Sequence, residues 1–254
     1  MSTDIALAER AARAGGDVLM SYYGRAPEGL GWKSSDTDLV SDADREAERA
    51  IRELLERERP GDGLVAEEGS RADAESGRRW LVDPLDGTVN FLYGFPVWAV
   101  SVALEDAEGL AVGVVHAPAN GETFCAERGA GAWLAESGRR LQVRDCATLA
   151  QALVATGFSY EPDRRARQAE VVGRLLPLAR DIRRAGAAAV DLAWLAAGRL
   201  DGFYERGLNP WDWAAGHLLI EEAGGALAWL DGEPAGLVAA ATPDLLDELL
   251  PLAG

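Results

Sequence analysis

The stretch WLVDPLDGTVNF, Trp80 to Phe91, places two aspartates, Asp83 and Asp86, three positions apart, with Gly87 and Thr88 directly after them. Three apolar residues lead into Asp83, which predicts a strand that brings it out of the core at its C-terminal end. Pro84 fixes one backbone angle and Gly87 permits a tight turn, so both carboxylates can face one locus. Carboxylates that close repel unless a proton or a metal lies between them. Ligands that are all oxygen suit a hard cation such as Mg²⁺. Where Gly87 and Thr88 open a brief helical turn, free amides offer a place for phosphate. Metal, phosphate-binding amides and a hydroxyl in one stretch point to phosphoryl transfer to water.

Alone, D-P-x-D-G is an ordinary turn sequence. Three other places bear on it. Glu67 and Glu68 end a neighbouring strand in GLVAEE. Asp212 stands at a helix start in PWDWAAG, where capping is the ordinary role. Asp44 stands at the third position of a helix after Ser41, where a capping box is the ordinary role. Four such acidic places at element ends of one chain are harder to assign to capping alone.

The elements that must position them read as follows. Residues 4–23 and 41–61 predict helices, the second with Ala43, Ala47, Ala50, Ile51, Leu54 and Leu55 on one face and stopped by Pro60-Gly61. From Val97 to Leu141, apolar runs separated by Gly, Pro or Asn predict a largely antiparallel sheet. After about Ala147 strands and helices alternate: strands at 152–158, 181–186, 201–207 and 226–232, and helices at 161–180, 187–200, 211–225 and 243–252. The expectation is one domain over 1–254, with an α+β lobe at 1–146, an α/β lobe at 147–254 and acids gathered at strand ends between them.

The chain has 254 residues, 48% of them hydrophobic, and a net charge of −17. That balance disfavours direct contact with nucleic acid. No apolar run reaches the ~18 residues that cross a membrane, and the charged N-terminus lacks a secretory apolar core; the expected place is the cytoplasm. Two cysteines, Cys125 and Cys146, make no disulfide framework, and two histidines, His116 and His217, argue against His-rich zinc chemistry.

WLVDPLDGTVNFLYGFP resembles the signature of the inositol monophosphatase family, lithium-sensitive Mg²⁺-dependent phosphatases, and WDWAAGHLLIEEAGG resembles that family's second signature. WKSSDTDLVSDAD, VAEEG and GFYERGLNPWDWAAG follow in the expected order, so the resemblance covers nearly the whole chain. It implies a layered αβαβα sandwich, of the type shared with fructose-1,6-bisphosphatase, and a homodimer. It implies that Glu67, Asp83 and the Leu85 carbonyl hold one Mg²⁺, and Asp83, Asp86 and Asp212 a second, with a third, weaker ion sharing Glu67; Mn²⁺ can substitute. Gly87 and Thr88 amides would bind phosphate, with Asp86 and Asp212 beside the substrate. Asp44 and the Thr88 hydroxyl, with Glu67, would orient and deprotonate the attacking water. Gly186, Ala187, Ala188 and Glu205, with Ser159, would line the alcohol side, and Lys33 matches a lysine on a covering loop.

Ala66 stands where the family usually has Gly, and Ala187 where many members have Thr. These departures bear on the substrate more than on the metal chemistry. The implied reaction is hydrolysis of a small phosphate monoester, myo-inositol 1-phosphate foremost. Histidinol phosphate, fructose 1,6-bisphosphate and 3′-phosphoadenosine phosphate are the alternatives. A haloacid-dehalogenase-type enzyme is disfavoured because DPLDGT puts two residues between its acids, not one. A regulatory binding protein on the same fold is the non-enzymatic alternative, and Trp211 and Trp213 would offer it a surface.

Overall fold

The computed structural model describes residues 3–24, 31–32, 39–40, 42–69 and 71–254; Lys33 and Ser41 lie outside them. Strand Ala99–Asp106 reads AVSVALED, and its first six residues are all buried. A strand without polar alternation needs cover on both faces, and the layers supply it.

In chain order the strands are β1 (Gly31–Trp32), β2 (Leu39–Val40), β3 (Gly63–Ala66), β4 (Arg71–Ala72), β5 (Arg79–Asp86), β6 (Ala99–Asp106), β7 (Gly109–Ala117), β8 (Glu122–Glu127), β9 (Gly131–Leu134), β10 (Leu153–Thr156), β11 (Asp181–Arg183), β12 (Gly202–Arg206), β13 (Ala226–Leu230) and β14 (Gly236–Ala240). The helices are α1 (Thr3–Tyr22), α2 (Asp42–Glu58), α3 (Thr88–Leu92), α4 (Pro162–Leu175), α5 (Ala188–Ala196), α6 (Pro210–Glu222) and α7 (Pro243–Ala253). One sheet has the order β4-β3-β5-β6-β7-β8-β9 and another the order β11-β10-β12-β14-β13, beside the short β1-β2 pair. The first is antiparallel except for β3 against β5. In the second, β10 pairs in parallel with β11 and β12, while β14 runs antiparallel to β12 and β13.

Helices α1 and α2 cover one face of the first sheet, α5 and α6 lie between the sheets, and α7 with α4 covers the far face of the second. This is the layered αβαβα sandwich. Each layer boundary has its own apolar cluster. Ile5, Ala8, Ile51 and Val102 belong to one, Leu192, Leu218, Phe203 and Val115 to the middle one, and Val238, Leu245 and Leu249 to the outer one. Burying a leucine or isoleucine contributes roughly 1.5–3 kcal/mol, so the middle layer is also what fixes the two sheets against each other.

Four expectations change. β5 does not end at Asp83: it continues to Asp86 across a break in register between the two aspartates, where Pro84 has no N–H to give the ladder. Helix α4 stops at Leu175 instead of 180, because Pro177 has no N–H to carry the helical ladder onward. Helix α5 ends at Ala196, before Gly198. β14 has no counterpart in the sequence reading, although all five of its residues are buried.

β7 approaches α6 very closely. A Cβ added at Gly113 would lie 2.9 Å from the Ala215 Cα and carbonyl oxygen, both backbone atoms that cannot swing aside. Gly113→Val is expected to cost about 2 kcal/mol or more through overpacking, read as a lowered urea midpoint with an unchanged slope.

Candidate active site

β5 supplies the first acids. The Leu85 N–H donates to Asp83 Oδ1 at 2.9 Å, so the aspartate ties down the turn that Pro84 begins. Gly87 follows at φ +89°, a left-handed conformation suited to glycine. A Cβ there would lie 2.9 Å from the Val97 carbonyl oxygen. α3 starts at once with Thr88, whose hydroxyl donates to the Leu85 carbonyl at 3.1 Å. Asn90 then holds the turn in place, its amide donating to the carbonyls of Val97 (2.7 Å) and Ala185 (2.9 Å).

Asp86 reaches across to the middle layer. Its Oδ2 accepts a hydrogen bond from the Ala189 N–H at 2.7 Å, where α5 begins and its own N-cap residue, Ala187, offers no side-chain cap. A carboxylate at a helix N-terminus also meets the favourable end of the helix dipole. Asp212 sits three residues after the N-cap Asn209 of α6, and the Asn209 N–H donates to its Oδ2 at 2.7 Å. The capping role foreseen for Asp212 is therefore present as a capping-box contact. The Ser101 hydroxyl donates to the Trp211 carbonyl at 3.0 Å, pinning this helix start to β6. Trp213 packs edge-on against Trp229, ring centroids 4.9 Å apart.

These pieces surround a cavity of about 430 Å³. Glu67, Asp83, Leu85, Asp86 and Asp212 line it, with Gly87 and Thr88, and so do Gly186, Ala187, Ala188, Glu205 and Ser159. A Cβ at Gly157 would fall 2.1 to 2.3 Å from the Glu205 carboxyl atoms, so any side chain there would have to displace the acid. Asp44 is fully buried on α2 and does not line the cavity. It is near enough to Asp83 for its charge to be felt there.

Charge is crowded here. Burial pushes the Asp83 carboxyl well above the usual range, and the charges of Glu67, Asp86, Asp212 and Asp44 push it further. Burial raises Asp86 to about 7 against the pull of the Ala189 N–H. Burial, then the charge of Glu67, raises Asp212 well above its ordinary value. Glu205 is raised to about 8 by burial and then by Asp191, and Asp191 to about 8 by burial and then by Asp86.

The donors fit a hard divalent cation, since the lining offers carboxylate and carbonyl oxygens and, among the described residues, no histidine or cysteine. Among those residues no group of three or more His, Cys, Asp or Glu side chains is drawn together tightly enough to hold an ion as it stands.

Sequence reasoning missed Asp191, Arg164, Arg184 and Arg206, all in the cavity wall. For Asp191 a signal existed: it is the one charged residue in the apolar helix AAVDLAWLA.

The chain matches the model of the inositol monophosphatase family over residues 1–252. It is 41% identical to an inositol-1-monophosphatase of Mycobacterium leprae, over 98% of this chain and 89% of that protein. It is 38% identical to a Salmonella typhimurium protein named Nus factor SuhB, over 90% of this chain and 85% of that one. A solved structure of the extragenic suppressor protein suhB from Bartonella henselae superimposes with a TM-score of 0.91 at 36% identity, covering 99% of this chain and 98% of that one.

The raised acids set a pH dependence. A carboxyl whose pKa is higher folded than unfolded binds its proton more tightly in the native state. Its contribution is therefore present at low pH and lost as pH rises toward the folded value. With Asp86 near 7 and Asp191 and Glu205 near 8, the protein in chelator is expected to melt several degrees higher at pH 5.5 than at pH 8. Added Mg²⁺ is expected to narrow the gap by raising the pH 8 melting temperature. Differential scanning calorimetry at both pH values reads this directly.

Proposed function

The chain belongs to the inositol monophosphatase family, and we propose that it hydrolyses the phosphate monoester of a small polyol, myo-inositol 1-phosphate foremost, using Mg²⁺. The observation that carries this reading is one cavity whose lining holds Glu67, Asp83, Asp86 and Asp212, acids for a cation, together with Ala187, Ala188 and Glu205.

Glu67, Asp83, the Leu85 carbonyl, Asp86 and Asp212 would hold two ions, with a third at Glu67 and Mn²⁺ as a substitute. When bound, the ions supply neutralising charge for phosphate oxygens and lower the pKa of a coordinated water. The amides of Gly87 and Thr88 orient the phosphate at the mouth of α3. The Thr88 hydroxyl orients the attacking water and accepts its proton, with Asp44, buried behind the cavity wall, as the onward acceptor. For this, Thr88 must turn its hydroxyl from the Leu85 carbonyl it now meets. Water adds its oxygen to phosphorus, the ester oxygen leaves with the bonding pair and takes up a proton, and no covalent enzyme intermediate is required. Glu205 accepts hydrogen bonds from hydroxyls of the departing alcohol.

The same reading includes a cytoplasmic homodimer that makes no contact with nucleic acid or membrane. Among the described residues no helix is long and apolar enough to cross a membrane, and the −17 charge opposes binding to a phosphate backbone. The Salmonella relative's name favours a second reading, in which the fold also contacts transcription proteins. Co-purification of such proteins with an Asp83→Asn variant would separate that role from catalysis.

Activity on inositol 1-phosphate is expected to vanish in EDTA and return with Mg²⁺ or Mn²⁺; full turnover in chelator contradicts the metal reading. Asp83→Asn is expected to be the most damaging single change, and near-normal turnover by that variant would mean that the ligands are misassigned.

Thr88→Ala and Asp44→Asn are each expected to lower kcat by about 10²–10⁴ with the fold intact. Their double variant should be no worse than either alone. Losses that multiply would make Asp44 a structural residue of α2.

A further inference from the structure

Asp191 is the fourth residue of α5, and its N–H donates to the Ala187 carbonyl at 3.0 Å. An acid in a first helical turn has an ordinary reason to be there, the helix dipole. That reason requires neither burial nor an unmet oxygen, and Asp191 has both. It is 2% exposed, its Oδ1 meets no hydrogen-bond partner among the described residues, and it lines the cavity. A buried acceptor left unpaired is costly to the fold, which makes this oxygen a place where a ligand donor would be welcome.

Its surroundings say which donor. Glu205 comes from β12 in the neighbouring sheet, and the two carboxyls are close enough to repel. Arg184 at the rim partly offsets them. Ala187 and Ala188 leave the wall before Asp191 small and uncharged. Read from sequence, Glu205 has no second acid beside it. In space it has one, delivered by another element.

We propose that Asp191 is a specificity residue that accepts a hydrogen bond from a hydroxyl of the departing alcohol, beside the one that Glu205 accepts, so that the pair reads adjacent hydroxyls. This rests on the polyol reading above and names the group that enforces it.

The test compares three esters at saturating Mg²⁺: inositol 1-phosphate, glycerol 2-phosphate and p-nitrophenyl phosphate, whose leaving group has no free hydroxyl. Asp191→Leu should raise KM for both hydroxylated esters about 10- to 100-fold, as loss of a hydrogen bond to a charged or acidic group does. It should leave p-nitrophenyl phosphate within about twofold. Asp191→Asn keeps an acceptor oxygen and should recover most of the loss, a rescue that a packing role would not produce. If Asp191→Leu does not fold, Asp191→Ala withdraws the acceptor with less disturbance and carries the same expectation. Equal loss on all three esters, or none on any, overturns the proposal. Wild-type preference for glycerol 2-phosphate over inositol 1-phosphate would sink the inositol choice while leaving the selective Asp191 effect standing. A wild type indifferent to hydroxyls overturns both, and selective turnover of an amino-alcohol phosphate overturns the hydroxyl assignment.

Discussion

Acids that repel one another must be held together, and much of the local structure around the cavity serves that requirement. Asp83 and Asp86 come from one strand, Asp212 from α6, Glu205 from β12 and Asp191 from α5. Left to itself, such a group would separate. Three of these acids are each fixed by a donor: the Leu85 N–H on Asp83, the Ala189 N–H on Asp86 and the Asn209 N–H on Asp212. Each donor is a backbone group, which holds an oxygen without adding a side chain that would fill the cavity.

The scaffold behind these donors is neutral and tightly packed. Asn90 and Ser101 link α3 and β6 to the Ala185 loop and to the start of α6 through carbonyls. Glycine and alanine stand where elements cross closest, as at Gly113 against Ala215 and Gly157 against Glu205. The surface ion pairs lie mostly on exposed side chains, where such pairs are worth little. Stability therefore resides in the apolar layers, and the charge-rich cavity is imposed on them.

Local sequence carried a good part of this. The DPLDGT stretch, the glutamate after β3 and the acid of PWDWAAG all announce themselves by type and spacing, and all line the cavity. The faces of α1 and α2 and the run of antiparallel strands follow from periodicity. What escaped depends on contacts far apart in the chain. Gly236–Ala240 is an unbroken apolar run, whose periodicity alone does not separate strand from helix, and β12 and β13 on either side make it a strand. Asp191 looks like an acid of a helix turn until Glu205 is placed across from it. The end of α4 is different: Pro177 was there to be read.

The hydrogen bond from Ala189 to Asp86 spans 103 positions of the chain. Loops of that length close late, since their entropy is spent before any contact rewards it. During synthesis, a ribosome that has just released β5 has made Glu67, Asp83 and Asp86 but none of the helix that restrains Asp86, and Asp212 follows later still. The antiparallel sheet can mature in that interval on nearest-neighbour pairings. The cavity cannot, because its wall is complete only when α6 emerges and docks with Asp212.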